Sequence, residues 1–197
     1  MSRTGVLGGT FDPPHLAHLV LAAAAREALN LDRVLFVPAG NPWRKANREV
    51  TVAAVRLDLV RAAVAPLAWV EVSTIEVDRD GPSYAAETME MLAADGGEWW
   101  FILGSDALAD LPHWHEPERL IAAARLAVAV RPPATLRIDE PTLAALPGLA
   151  ARVDAVPMPA LEVSSTDLRA RVRAGRTTEV LISDAVRTRI EVHGLYR

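Results

Sequence analysis

Short apolar runs alternate with longer stretches of helical spacing along most of the chain. Short apolar runs bounded by Gly or Pro are typical of buried strands, and apolar positions three and four residues apart indicate helices. The predicted strands cover residues 4–7, 34–37, 68–77, 99–103, 126–130 and 153–156. The predicted helices cover residues 16–29, 52–64, 84–94, 117–124 and 141–149, and two more begin near Ser165 and Ser183.

Strands that alternate with helices predict an α/β fold, because parallel strands need crossover connections that helices supply. We expect one doubly wound parallel sheet with helices on both faces, followed by a C-terminal helical part from about residue 164 to residue 197. Ser165 and Ser183 are the predicted N-caps of its two helices. The length of 197 residues suits one domain, so residues 1–197 are predicted to form a single domain.

Composition narrows the classes of function. The hydrophobic fraction of 51% and the charged fraction of 23% are ordinary for a globular protein. A net charge of −4 gives no general attraction to nucleic acid or anionic lipid, and the apolar run 19–25 is too short to span a membrane. With no cysteine, disulfides and thiolate metal sites are excluded. We expect a cytoplasmic protein without nucleic-acid or membrane partners, and the sequence leaves a homo-oligomer open.

The first predicted strand leads directly into a motif suited to phosphate, Gly8-Gly9-Thr10-Phe11-Asp12-Pro13-Pro14-His15-Leu16-Ala17-His18. Ligands of such sheets bind beyond the carboxyl ends of strands, where glycines and helix amides let a phosphate approach. The two imidazoles share one helical face and could stabilise charge on phosphorus. A turn beside two surface histidines is the alternative, and zinc is disfavoured because no third ligand is evident.

Two segments together resemble a known family. The glycine and histidine motif is similar to the signature of the nucleotidyltransferase superfamily that includes nicotinate mononucleotide adenylyltransferase, and residues 162–169, Glu-Val-Ser-Ser-Thr-Asp-Leu-Arg, resemble the family's closing motif. The resemblance extends to the ending, residues 192–196. It implies a Rossmann-like fold and transfer of AMP from ATP to nicotinate mononucleotide, which gives deamido-NAD and pyrophosphate in NAD biosynthesis. Mg²⁺ would arrive bound to ATP, without a metal site of the protein's own.

The resemblance also implies residue roles. Catalysis would rest on His15, His18, Lys45 and Arg169, and Lys45 is the one lysine among 21 Lys and Arg residues. Contacts to ATP would come from Gly8, Gly9, Thr10, Phe11, Ser164, Ser165 and Thr166. Contacts to the mononucleotide would come from Tyr84, Thr88, Gly104, Asp106 and Trp114, with the Trp114 ring stacked on the pyridine ring.

The chain departs from the family pattern at two positions. Ala17 stands where a glycine is common, so a methyl group is added near the expected path of ATP. Ala85 replaces a threonine whose hydroxyl helps to receive the nicotinate carboxylate in the family. The alternatives are therefore adenylyl or cytidylyl transfer to another phosphate monoester, such as nicotinamide mononucleotide or phosphopantetheine, and a non-catalytic nucleotide sensor.

Overall fold

The structure is a computed structural model that describes residues 1–45, 49–131, 133 and 135–197. The side chain of Lys45 also lies outside the described part, so its predicted phosphate contact remains a prediction. Within the described ranges, no helix combines the length and the apolar character that a membrane span requires.

Six strands provide the frame of the fold, and they are β1 Arg3–Gly9, β2 Arg33–Pro38, β3 Val70–Val72, β4 Glu98–Gly104, β5 Arg125–Val130 and β6 Val153–Pro157. They form one sheet in the order β3-β2-β1-β4-β5-β6. The pairs β1 with β4, β4 with β5, and β5 with β6 are parallel, and Trp100 lies opposite Arg125 in the register of β4 and β5. This strand order is that of a Rossmann-like sheet, which confirms the predicted fold class.

Helices connect the strands, and they are α1 Leu16–Leu29, α2 Ala53–Val64, α3 Ala85–Ala93, α4 Ser105–Ala109, α5 Pro117–Ala123, α6 Glu140–Ala145, α7 Ser165–Arg173 and α8 Asp184–Val192. Short 3-10 turns cover Trp43–Lys45, Leu111–His113 and Leu149–Arg152. The helices α7 and α8 follow the last strand and lie in the predicted C-terminal helical part.

The structure departs from the predicted elements in three places, one of which is the helix predicted over residues 141–149, since it ends at Ala145. The extended segment predicted over residues 68–77 is a strand only at Val70–Val72, because a turn follows it. In that turn the Asp78 main-chain N–H donates to the Thr74 carbonyl, and the Thr74 hydroxyl bonds the Asp78 carboxylate. The helix α4 was not predicted, since five residues are too few to show a helical period.

The chain divides into two compact units that interleave along the sequence. The first contains Met1–Gly8, Leu21–Leu35 and Tyr84–Ala160, and the second contains Gly9–Val20, Phe36–Ser83 and Leu161–Arg197. In the first unit α3 packs against α5, and Leu126, Ala127 and Val128 of β5 are fully buried. In the second unit α2 packs against α8, and Leu59 and Val60 of α2 are fully buried. Each unit therefore has an apolar core of its own, and the single-domain assignment stays a prediction.

Candidate active site

The loop after β1 folds back on itself. A Cβ on Gly9 would lie 3.1 Å from the Phe11 ring, so a side chain here would press on that ring and displace it slightly. Phe11 is 2% exposed, and its ring centroid lies 4.9 Å from that of His18 in an edge arrangement and 5.5 Å from that of Phe36. The Phe11 side chain therefore supports the His18 ring from the interior, which leaves the loop backbone for any contact with ATP. Gly8 lies within β1 and ends the first stretch of the other unit.

The two histidines of the motif lie against each other. Their ring centroids are 3.7 Å apart and their planes differ by 28°. The main-chain N–H of His15 donates to Nδ1 of His18 over 3.1 Å. Because Nδ1 of His18 is an acceptor in this bond, the neutral His18 ring carries its proton on Nε2. The backbone thus fixes His18 as a donor through Nε2.

His15 is held in its neutral form by burial. Its side chain lies in a nearly closed environment, with the residue 7% exposed, and loss of solvation lowers its pKa from 6.5 to about 4. Among the described residues, Nδ1 of His15 is buried without a hydrogen-bond partner. A buried polar atom of this kind is costly unless a ligand or water satisfies it. His15 is therefore a neutral group with an unused polar atom at neutral pH.

The start of α1 offers fewer amides than the motif predicts. The His15 N–H is taken by His18, and the Leu16 N–H donates to the Leu181 carbonyl over 2.8 Å. The expectation that the first amides at this helix start point freely at a phosphate is wrong for these two residues. Both amides already donate to acceptors of the protein. One of these acceptors, the Leu181 carbonyl, is 165 positions from Leu16 in the sequence.

The helix α7 begins at Ser165 as predicted, but its N-cap lies one residue earlier than predicted. Ser164 is the N-cap, because its hydroxyl accepts from the Asp167 main-chain N–H over 3.1 Å. The prediction of Ser165 as the cap is therefore wrong. The Ser165 hydroxyl instead donates to the carbonyl of Pro13 over 2.9 Å, and so ties the start of α7 to the loop after β1. The predicted N-cap Ser183 of α8 is confirmed, since its hydroxyl accepts from the Val186 N–H.

Arg169 makes a second tie between α7 and the same loop. Its guanidinium donates to the Asp12 carbonyl over 2.8 Å and to the Thr166 hydroxyl over 3.3 Å. Together with the Ser165 contact, this places the start of α7 directly beside the loop after β1. Two segments that are about 150 residues apart in sequence thus form one surface within the second unit.

A cavity of about 310 Å³ opens on this surface. Its lining combines four hydroxyls, one imidazole and one guanidinium with two carboxylates, of which Asp12 is buried and Glu49 exposed, and two valines: Thr10, Asp12, His15, Glu49, Val50, Val163, Ser164, Ser165, Thr166 and Arg169. Six of the predicted ATP or catalytic residues are therefore brought together within one unit. Hydroxyl and guanidinium donors at such an opening suit phosphate oxygens.

A buried arginine supports this surface, and sequence analysis missed it. Arg56 of α2 is 1% exposed, and its guanidinium donates to the carbonyls of Thr10 at 2.8 Å, Ala39 at 2.6 Å and Thr51 at 2.7 Å. Burial lowers the pKa of Arg56, and the charge of Asp12 opposes this change. In the sequence Arg56 looks like an ordinary charged position on a helix, so no local pattern reveals its role.

The residues predicted to contact the mononucleotide lie in the first unit. The Trp114 ring stands edge-on to Phe101 with centroids 5.9 Å apart, and its N–H donates to the Asp110 carboxylate over 3.4 Å. The Tyr84 ring stacks on His115 at 3.8 Å. No local pattern predicts the Tyr84 and His115 pair, since 31 positions separate the two residues.

The other three predicted mononucleotide contacts have different exposures. Gly104 directly precedes α4, and Asp106 is exposed in the first turn of that helix. Thr88 of α3 is 1% exposed. Its contact with the mononucleotide therefore remains a prediction.

Comparisons with known proteins identify the family of the chain. The cytidylyltransferase-like family model matches residues 6–171. A protein of Roseiflexus sp. (strain RS-1), named probable nicotinate-nucleotide adenylyltransferase, is 48% identical over 98% of this chain and 97% of its own length. A protein of the same name from Thermomicrobium roseum is 40% identical over 100% of this chain and 92% of its own length.

Solved structures share the fold. A Plasmodium falciparum nicotinic acid mononucleotide adenylyltransferase complexed with NaAD matches with a TM-score of 0.75 at 21% identity, over 100% of this chain and 98% of that one. The same enzyme complexed with APC gives a TM-score of 0.72 at 20% identity. Since the two bacterial relatives match nearly the whole chain at 40% to 48% identity, the chain belongs to the nicotinate-nucleotide adenylyltransferase family, within the cytidylyltransferase-like nucleotidyltransferases.

Proposed function

We propose that the chain transfers AMP from ATP to nicotinate mononucleotide and so makes deamido-NAD and pyrophosphate. The observation that carries this proposal is the cavity of the second unit, where the loop after β1 and the start of α7 present donors to one opening. The relatives named for this activity match nearly the full length of the chain. Transfer of a nucleotidyl group depends mainly on alignment and charge stabilisation, which such a donor set supplies without a nucleophile.

In this proposal the phosphate oxygen of the mononucleotide attacks the α-phosphorus of ATP. The bond between the α-phosphorus and the bridging oxygen breaks, and pyrophosphate leaves with that oxygen. The Nε2–H group of His18 donates to the α-phosphate as charge grows there, because Nδ1 is already engaged by the His15 N–H. Arg169 and the Thr166 hydroxyl hold the phosphates of ATP, while the Ser165 hydroxyl donates to the Pro13 carbonyl and keeps the start of α7 against the loop. His15 and Lys45 act on the leaving phosphates.

Magnesium would enter this site bound to the phosphates of ATP. The Asp12 carboxylate accepts from the Tyr196 hydroxyl and from the Thr51 N–H, so it is already engaged on both oxygens. Among the other lining groups, the hydroxyls and the Arg169 guanidinium suit phosphate oxygens, and the exposed Glu49 is the one further carboxylate. We therefore assign Mg²⁺ to the triphosphate, where it would offset the charge of the leaving group.

The mononucleotide is assigned to Trp114, Tyr84, Gly104 and Asp106 of the first unit. The flat rings of Trp114 and Tyr84 favour an aromatic base over the flexible arm of phosphopantetheine. Because residue 85 is alanine, the preference for the acid over the amide depends on main-chain amides or on other side chains. The cytoplasmic location and the single domain remain predictions of the sequence.

A parallel assay tests the proposal. Purified protein is incubated with ATP and Mg²⁺ together with nicotinate mononucleotide, nicotinamide mononucleotide or phosphopantetheine, and pyrophosphate release is followed. We expect nicotinate mononucleotide to give the highest kcat/KM. Preferred turnover of phosphopantetheine would replace the substrate assignment, and no pyrophosphate with any of the three would favour the nucleotide sensor.

A further inference from the structure

The last residues of the chain reach the loop after β1. The helix α8 ends in a Schellman motif, in which the Gly194 N–H donates to the Glu191 carbonyl at 3.1 Å and the Leu195 N–H donates to the Ile190 carbonyl at 3.0 Å. Gly194 has a φ of 61°, a conformation that glycine adopts without strain. After this turn the chain leaves the helix, and Tyr196 contacts Asp12 in the loop after β1.

Tyr196 makes a short hydrogen bond to the loop. Its hydroxyl donates to Oδ1 of Asp12 over 2.6 Å, and the Thr51 main-chain N–H donates to Oδ2 of the same carboxylate over 3.1 Å. Asp12 is buried. Burial and the neighbouring Asp12 carboxylate both raise the pKa of Tyr196, so the phenol stays protonated and remains a donor through the neutral range.

Asp12 connects this contact to the proposed ATP site. While its carboxylate accepts from Tyr196, its main-chain carbonyl accepts from Arg169 over 2.8 Å. Asp12 and Arg169 line the 310 Å³ cavity, and they also line a neighbouring cavity of about 460 Å³ that includes Tyr196. One residue, Asp12, thus connects the Tyr196 hydroxyl to the Arg169 guanidinium.

We propose that Tyr196 is a positioning residue for ATP, which acts through Asp12 on Arg169 and on the loop after β1. The inference rests on the proposed function, because it assumes that this cavity holds the triphosphate. A tyrosine hydroxyl bound to a buried carboxylate fixes the carboxylate in one rotamer, and the Asp12 carbonyl then stays in place for Arg169. Loss of the hydroxyl leaves the carboxylate with one fewer donor and lets the loop shift.

The test compares Tyr196→Phe with a matched control, Ser183→Ala. Both residues lie in the second unit, but Ser183 caps α8 and does not contact Asp12. Binding of ATP with Mg²⁺ is measured by calorimetry in the absence of any mononucleotide. We expect Tyr196→Phe to raise the Kd for ATP about fivefold or more, as for loss of a hydrogen bond to a charged group, and Ser183→Ala to leave it unchanged.

Kinetics and a double-variant cycle separate positioning from general destabilisation. Tyr196→Phe is expected to raise the KM for ATP while the KM for the mononucleotide stays within about twofold of the wild-type value. In an Asp12→Ala background, Tyr196→Phe should cause no further loss of ATP affinity, because its partner is already absent. Should the Asp12→Ala protein not fold, the comparison with Ser183→Ala still decides.

Three results would overturn the inference. The first is a Tyr196→Phe protein that binds ATP as tightly as the wild type, and the second is an equal loss of affinity in Ser183→Ala. In both cases the wild-type protein binds ATP, so the proposed function stands. The third is a wild-type protein that does not bind ATP at all, which would remove the proposed function together with the role of Tyr196.

Discussion

His15 and His18 are three positions apart in the sequence, but their surroundings give them different chemistry. The motif spacing correctly predicted that the two rings would lie together, and they stack at 3.7 Å. Spacing could not predict that burial keeps His15 neutral. It also could not predict that the hydrogen bond from the His15 N–H places the proton of the neutral His18 ring on Nε2. These properties depend on residues brought in by the fold.

Burial of His15 predicts a dependence of stability on pH. The folded protein holds His15 with a pKa of about 4, against 6.5 for an unperturbed histidine, so between these values the unfolded state binds more protons. Stability is therefore fully present above pH 6.5 and decreases as the pH falls towards 4. Between pH 7 and pH 5 this one group should lower the free energy of unfolding by about 2 kcal/mol.

Urea unfolding at pH 7 and pH 5 measures this effect, with His15→Gln as the comparison. The variant lacks the titrating group, so its loss between the two pH values should be smaller than that of the wild type by about 2 kcal/mol. Equal losses in the two proteins would mean that His15 titrates normally in the fold.

At the scale of elements, the site is built where helices begin and end. Ser164 caps α7, Ser165 and Arg169 tie that helix to the loop after β1, and the Schellman turn after α8 directs Tyr196 to the same loop. These local contacts decide which serine hydroxyl caps α7 and which one bonds the loop after β1. A sequence pattern places the helix start within about two residues, which is too coarse to make that choice.

The caps of α7 and α8 provide a matched pair for separating stability from binding. Ser164→Ala and Ser183→Ala each remove a serine cap, so both should lower the free energy of unfolding by about 1 kcal/mol. Ser164 also lines the 310 Å³ cavity, so this variant alone should bind ATP more weakly.

Urea unfolding and calorimetric titration with ATP and Mg²⁺ check the two effects separately. Unchanged ATP affinity in Ser164→Ala would leave Ser164 with a capping role alone. An equal loss of affinity in both variants would show that the binding effect follows from stability.

Most of the regular elements followed from the sequence, because long apolar runs and helical spacing identify buried strands and amphipathic helices. The observed helix α1 spans Leu16–Leu29 as predicted, and β4 and β5 extend their predicted ranges by one or two residues. Two of the errors fall where a side chain makes a specific hydrogen bond, from the Thr74 hydroxyl to the Asp78 carboxylate and from the Ser165 hydroxyl to the Pro13 carbonyl. Such bonds depend on neighbours that a local pattern does not contain.

At the scale of the whole molecule, the two sets of predicted ligand contacts belong to different compact units. The described ATP contacts other than Gly8 lie in the second unit, and the mononucleotide contacts lie in the first. The alternation of strands and helices predicted one parallel sheet but could not show this division, since each unit is assembled from three separate segments of the chain. The supporting contacts of Arg56 and Tyr196 were missed for the same reason.

Family membership supports the proposed reaction, and the site geometry supplies donors that suit it. Two relatives with the same enzyme name are similar to this chain over nearly its whole length. The cavity beside Arg169 and His15 offers donors for phosphate oxygens. The central claim is therefore that this surface moves the AMP part of ATP to a second nucleotide and uses His18 as a donor to the α-phosphate.

Isotope transfer tests this claim most directly. Wild-type protein and His18→Ala are incubated with Mg²⁺, nicotinate mononucleotide and ATP labelled in either the α- or the γ-phosphate, and the dinucleotide is isolated. We expect label in the dinucleotide from the α-position alone, formed by His18→Ala at least about a hundredfold more slowly than by the wild type. Transfer of the γ-label to the mononucleotide, or full activity in His18→Ala, would contradict the account.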